Sequence, residues 1–183
     1  MDDKRLVKTS RYLSRHLRHQ PERLGLTLEP GGWVAVDDLL EACAARSFAL
    51  TRGGLEEVVA RNDKRRFSFD ASGERIRANQ GHSVEVDLEL APAQPPELLF
   101  HGTGRGSLAS ILRDGLERGG RHHVHLSPDV ETAVRVGRRH GPPVVLDVAA
   151  GRMAAAGHTF YVSDNGVWLV DAVPPEFLSP HRG

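Results

Sequence analysis

The chain of 183 residues contains a single cysteine, Cys43. One thiol can form neither an internal disulfide nor a zinc cluster, which fits a reducing compartment. Cys43 falls in a stretch, Asp37 to Ala45, that reads as a helix, and filling core space is its expected role. Long apolar runs are also missing: none approaches the roughly 18 residues of a membrane span, and the polar N-terminus has no signal-peptide core. The expectation is a soluble, cytoplasmic protein. No charge is in excess, because 24 basic and 24 acidic residues cancel. The chain as a whole therefore lacks the field of a non-specific nucleic-acid binder. There is no internal repeat, no low-complexity tract, no Gly-x-Ser-x-Gly and no Walker A sequence, and Cys43 has no histidine beside it. The usual hydrolase and nucleotide-binding signatures are excluded.

What is present divides into two halves, and 39% hydrophobic residues suffices for one ordinary core or two small ones. Residues 1 to 23 carry seven basic residues (Lys4, Arg5, Lys8, Arg11, Arg15, Arg18, Arg23) against Asp2, Asp3 and Glu22. Residues 6 to 19 read as a helix with Leu6, Leu13 and Leu17 near one face. Arg11, Arg15 and Arg18 form a basic stripe that could hold phosphate or be solvated. A Pro30-Gly31-Gly32 turn, a strand Trp33 to Val36, a helix capped by Asp37 and a third helix opened by Thr51 follow. Phe67-Ser68-Phe69 and Arg75-Ile76-Arg77 alternate around Ala71-Ser72-Gly73 as a hairpin does. Lys64 to Phe67 reads as strand, with Arg66 facing opposite to Phe67. Three helices and a hairpin outline a winged helix over residues 1–86. The prolines of residues 87–96 mark a linker.

Residues 97–183 read as a compact α+β domain. Its expected strands are Leu98 to Phe100, His123 to Leu126, Val144 to Val148, Thr159 to Val162 and Val167 to Val170. Helices are expected over Ser107 to Arg113 and Asp129 to Arg138. Two histidine-bearing segments, Phe100-His101-Gly102-Thr103 and Arg121-His122-His123-Val124-His125-Leu126-Ser127, read as strands opening into turns, where polar side chains can face a ligand. His123 and His125 would share a strand face, but no carboxylate or cysteine follows at ligand spacing, so no metal is expected. Arg15, His16 and Arg66 lie in the first half and His101 and Arg121 in the second, so a joint site would need a cleft between domains. Arginines gathered at one point repel one another unless a dianion sits among them, and guanidinium forks match phosphate oxygens.

Six segments in order carry a resemblance: Ser14-Arg15-His16-Leu17-Arg18-His19, Asn62 to Phe67, Ile76 to Ser83, His101-Gly102-Thr103, Arg121 to Ser127, and Asn165-Gly166-Val167. Together they closely resemble the RNA 2′-phosphotransferases over nearly the whole chain. The resemblance implies a winged-helix-like RNA lobe joined to an ADP-ribosyltransferase-like lobe with a split β-sheet core that binds NAD. It implies a two-step reaction in which an internal RNA 2′-phosphate is ADP-ribosylated and then released by transesterification. The products are 2′-OH RNA, ADP-ribose 1″,2″-cyclic phosphate and nicotinamide. The family's catalytic tetrad maps onto Arg15, His16, Arg66 and Arg121. His101 and His125 match two signature positions of the wider superfamily, and Val167 stands where protein-modifying members carry glutamate. Gly102 would meet the nicotinamide amide through its backbone, with Thr103, Ser127 and Asn165 near the ribose or diphosphate. The partners expected are tRNA-like RNA and NAD, with no metal and no membrane, for a monomer serving tRNA splicing or RNA repair. A one-step ADP-ribosyltransferase acting on nucleic-acid phosphates and a non-catalytic RNA- and NAD-binding module are the rival readings.

Overall fold

A computed structural model describes residues 1–182. The chain is mixed α and β, with six α-helices and small antiparallel sheets among the described residues. It divides into two compact units, Met1–Glu89 and a second that begins at Leu90. No helix among the described residues is long and apolar enough to cross a membrane.

In the first unit α1 (Asp3–Arg18) starts three residues before the apolar pattern does, because the Asp2 carboxylate accepts the Arg5 N–H and caps the helix. Its Leu13 and Leu17 are fully buried. After β1 (Trp33–Ala35) comes α2 (Val36–Ala45), where Asp37 does not cap as expected. Ala35 takes that position without a side-chain bond, and Asp37 lies in the first turn, where a carboxylate still favours the helix N-terminus. Thr51 does cap α3 (Arg52–Ala60), its hydroxyl accepting the Gly54 N–H. The hairpin of β2 (Phe67–Phe69) and β3 (Arg75–Ala78) then completes an antiparallel sheet in the order β1-β3-β2. Leu39, Cys43, Leu55 and Ile76 close the core. Burial pushes the Cys43 thiol up to about 11, so it stays protonated and inert.

The segment before β2 is a turn and not the strand expected from its alternation. The Asn62 carbonyl accepts the Arg65 N–H, the Asn62 side chain accepts the Lys64 N–H, and Arg65 adopts φ 42°. The strand begins only at Phe67.

The second unit contains β4 (Leu99–Gly104), α4 (Leu108–Asp114), β5 (Leu116–Glu117), β6 (Val124–Leu126), α5 (Val130–Gly137), β7 (Pro143–Val148), α6 (Ala150–Ala155), β8 (Tyr161–Val162), β9 (Trp168–Val170), β10 (Ala172–Val173) and β11 (Leu178–Pro180). Two three-stranded sheets, β11-β7-β4 and β6-β9-β8, carry most of it, and β10 pairs with β5. His101-Gly102-Thr103 does not open a turn: β7 pairs with β4 through to Gly104, so the segment is strand throughout. Its glycines serve close packing instead. A Cβ on Gly102 would overlap the Ala133 carbonyl of α5, and one on Gly104 would overlap the His140 carbonyl.

The two sheets meet at one reciprocal pair. Phe100 N–H donates to the Ser127 carbonyl at 2.9 Å and Ser127 N–H to the Phe100 carbonyl at 2.7 Å. The core beneath is built from Leu99, Leu126, Val148, Met153, Phe160 and Val170.

Substituting Gly102→Ala is expected to destabilise the second unit by about 3 kcal/mol or more, since helix backbone must retreat to admit one methyl. Gly106→Ala, with open space around it, is the control and leaves the thermal melting curve nearly unchanged. Equal melting of the two variants would contradict the close approach of α5 to β4.

Candidate active-site residues

On α1, Arg15 is exposed and His16 is buried. The Arg15 Nε donates to Gln20 Oε1 at 2.8 Å, which fixes the stem of the side chain. His16 Nδ1 lies 2.9 Å from the Tyr12 carbonyl, a group that can only accept, so the proton of a neutral ring sits on Nδ1. Its Nε2 is left with the lone pair. The ring is held against Tyr12, with centroids 4.3 Å apart, and Tyr12 in turn stacks on Phe48 at 3.8 Å.

Arg66 is half-buried at the end of the turn before β2. Two buried asparagines set its position. Asn62 Oδ1 accepts from Arg66 Nη1 at 3.2 Å while Asn62 Nδ2 donates to Ser10 Oγ of α1 at 3.1 Å. Asn79 Nδ2 donates to the Arg65 carbonyl at 2.7 Å, and Asn79 N–H to the Arg66 carbonyl at 2.9 Å. The guanidinium and the backbone of Arg66 are thus tied separately, and through Ser10 the tie reaches the helix that carries Arg15 and His16. Neither asparagine could be singled out from sequence, because an amide becomes informative only when burial obliges it to find partners.

The second unit brings His101, His125 and Arg121 into a hydrogen-bonded chain. His101 Nδ1 approaches the His125 carbonyl at 3.3 Å, so Nδ1 carries the proton and Nε2 the lone pair. Arg121 Nη1 lies 3.3 Å from His125 Nδ1. A guanidinium only donates, so His125 must accept there and, when neutral, carries its proton on Nε2. Burial pushes the His101 pKa below its ordinary value, and nearby His140 pushes the same way, against the bond to the His125 carbonyl. The ring is therefore neutral near pH 7.

Thr103 and Ser127 are both buried beside this chain, the first on β4 and the second at the pair that joins the sheets. Gly102 contributes backbone. Peptide groups alternate between the two edges of a strand, so the N–H and C=O of Gly102 face the same edge as those of Phe100, beyond the Ser127 pair. β4 is the outer strand of its sheet. A donor and an acceptor are thereby presented side by side.

Asn165 and Val167 lie on the turn between β8 and β9, which depends on Ser163, a buried residue that the sequence did not point to as functional. Ser163 Oγ donates to Asn165 Oδ1 at 2.6 Å and accepts the Val167 N–H at 3.2 Å. Ser163 N–H donates to the Val167 carbonyl at 2.9 Å, and Gly166, at φ 78°, closes the turn. The readable signal was Ser163-Asp164-Asn165-Gly166, a hydroxyl ahead of an Asn-Gly turn.

His123 lies outside β6, so the expected alternation of His123 with His125 along one strand does not apply. It packs 5.5 Å from Tyr161 and 3.8 Å from Asp171, and burial pushes its pKa down against the Asp171 charge. Among the described residues no group of three His, Cys, Asp or Glu is placed to hold a metal ion.

Comparison with known proteins gives a consistent result. The sequence profile described as RNA 2′-phosphotransferase, Tpt1 / KptA family, matches residues 4–172. A protein of Trichormus variabilis named probable RNA 2′-phosphotransferase is 62% identical over 178 residues, covering 97% of this chain and 98% of its own. Proteins of the same name from Herpetosiphon aurantiacus, 58% identical over the full length of both chains, and Streptomyces griseus, 60% identical over 97% of this chain and 98% of its own, are similarly close.

Two outcomes are expected. Asn62→Ala removes an acceptor that serves both Arg66 and the Lys64 N–H, and urea unfolding should show a loss of about 1–3 kcal/mol; a neutral result would mean that Asn62 does not hold the turn. The second concerns His101. Its folded pKa is depressed, so below about pH 6.5 the unfolded chain binds the proton first and stability falls with pH until the folded ring is protonated too. The melting temperature should therefore drop between pH 7.5 and 5.5, and drop less in His101→Asn. Identical drops would refute the assignment of a buried neutral ring.

Proposed function

Since the chain belongs to the RNA 2′-phosphotransferase (Tpt1 / KptA) family, and so is a transferase that removes a 2′-phosphate from RNA, we propose that the acceptor is NAD and that transfer takes two steps. We read the first unit as a winged-helix-like RNA lobe, on its three helices and three-stranded antiparallel sheet. The second is read as an ADP-ribosyltransferase-like lobe with a split core, on its two sheets joined at Phe100 and Ser127.

The observation that carries the NAD reading is the free backbone edge of Gly102 next to the neutral His101 ring and the His125–Arg121 pair. A carboxamide such as that of nicotinamide needs one acceptor and one donor side by side, and the Gly102 edge offers both. On the face of the sheet, α5 packs so closely that no side chain fits at position 102. Thr103, Ser127 and Asn165 supply hydroxyl and amide groups suited to ribose and diphosphate oxygens. NAD, when bound, supplies a ribose carbon with nicotinamide as leaving group and then a neighbouring hydroxyl, so that the products are 2′-OH RNA, nicotinamide and ADP-ribose 1″,2″-cyclic phosphate.

The chain's own residues divide the remaining work. Arg15, Arg66 and Arg121 bind the RNA phosphate and neutralise the charge that builds on it. A phosphate monoester has its second pKa at about 6 and is largely dianionic near pH 7, so its attack needs no general base. That agrees with an apolar residue, Val167, where a glutamate would otherwise stand. Releasing the RNA 2′-oxygen does require proton transfer, and His16, with Nδ1 committed to the Tyr12 carbonyl, offers Nε2 for it. The same reading makes the protein a cytoplasmic monomer that works without a metal.

The test is to incubate the protein with NAD and a short RNA bearing one internal 2′-phosphate, with no metal added. Loss of the phosphate matched by ADP-ribose cyclic phosphate is expected. In His16→Ala nicotinamide release should continue while phosphate loss slows on the order of 100-fold. Equal slowing of both would remove His16 from the second step. RNA that gains an adduct and keeps it in the wild type would favour the one-step rival, and no dependence on NAD would overturn the acceptor.

A further inference from the structure

Several arginines on the surface of this protein have carboxylate partners: Arg52 has Glu56, Arg61 has Asp3 and Glu57, Arg75 has Asp70, Arg113 has Asp114 and Arg135 has Glu131. Three cations on α1 differ. Lys4, Lys8 and Arg11 are exposed, and among the described residues their side chains make no ion pair and no hydrogen bond.

Their arrangement is regular. With 3.6 residues per turn, Lys4, Lys8, Arg11 and Arg15 fall within a sector about 60° wide, opposite the buried Thr9, Leu13 and Leu17. At 1.5 Å per residue they follow one another at steps of about 6, 4.5 and 6 Å, a row of about 16 Å in all. Asp3, the one carboxylate within the helix, lies off this sector and is paired with Arg61 at 2.6 Å. Like charges at i, i+3 and i, i+4 destabilise a helix, and no carboxylate offsets them here. A polymer whose negative charges recur at comparable steps would relieve that repulsion.

We propose that the exposed face of α1 is a track for single-stranded RNA, on which Lys4, Lys8 and Arg11 each take a backbone phosphate of the strand flanking the modified nucleotide. The proposal rests on the reading above, which gives Arg15, at the end of the row, to the 2′-phosphate. Contacts of this kind position the strand and carry no sequence information. A local row also explains how a chain of zero net charge can hold a polyanion: the field is confined to one helix face.

The test uses the whole protein and the triple variant Lys4→Gln/Lys8→Gln/Arg11→Gln, whose substitutions are exposed and favour helix. Circular dichroism checks that the fold is kept. Fluorescence anisotropy with a labelled single-stranded RNA lacking any 2′-phosphate reads the track without catalysis. The wild type should lose affinity with salt, and the variant should lose about 2 units of the log–log slope, three contacts at about 0.7 each. With 2′-phosphorylated substrates, KM for a longer RNA should rise about tenfold in the variant, while kcat and the KM for a dinucleotide stay put. An unchanged slope together with an unchanged KM for the longer RNA overturns the track. A reduced slope in a protein that transfers no phosphate supports the track and sinks the catalytic reading separately.

Discussion

The second unit depends on one reciprocal pair of hydrogen bonds, between Phe100 and Ser127. Among the described residues no other backbone pair joins β4 to β6 and its continuation, while Leu99 and Val148 of one sheet share a core with Leu126 and Val170 of the other. The pair fixes the register between the strand that carries His101 and the strand that carries His125, which is why the His101 ring meets the His125 carbonyl. It also consumes the outward peptide groups of Phe100 and stops there, so those of Gly102 are left at an open edge. Behind that edge α5 lies so close that only glycine fits. Joining the sheets, placing the histidines and leaving an edge beyond Phe100 are therefore consequences of a single contact, and the close packing of α5 is the consequence of a single missing side chain.

This accounts for what the sequence could and could not disclose. Elements set by local rules were legible: the apolar face of α1, the Thr51 cap and the alternating hairpin around Gly73. Gly102 was read as opening a turn because glycine is a turn residue when judged alone. Its actual cause is the approach of α5, a tertiary fact with no local signature. The segment before β2 failed for a related reason. Its cationic run into Phe67 was read as the start of the strand, but the side chain and carbonyl of Asn62 offer the backbone nearer partners, and the turn wins. The proposed site residues were found through motif order, whereas the groups that hold them, Tyr12, Asn62, Asn79 and Ser163, became visible only as buried polar contacts.

The three central imidazoles show how hydrogen bonds divide labour among chemically identical side chains. His16 and His101 each give Nδ1 to a carbonyl and keep Nε2 as a base. His125 is held the other way round, because its Nδ1 faces a guanidinium that has only protons to offer. Its carbonyl accepts from His101 while its ring accepts from Arg121, so a single residue couples a neutral ring to a permanent cation. Protonating the His125 ring would set two positive charges 3.3 Å apart and break that coupling.

Burial supplies the remaining distinction. His101 is partly buried on β4, which disfavours its charged form and keeps the ring neutral. His16 is buried too, yet it sits on a helix whose outer face is cationic from Lys4 to Arg15. Its orientation comes from the helix itself: Nδ1 is 2.9 Å from the Tyr12 carbonyl one turn back, and the ring lies against Tyr12, which stacks on Phe48. Arg15, one residue earlier, is exposed and tied to Gln20 instead. Neighbours in sequence are thus held by separate partners, the imidazole by backbone and aromatic contact and the guanidinium by a side-chain amide.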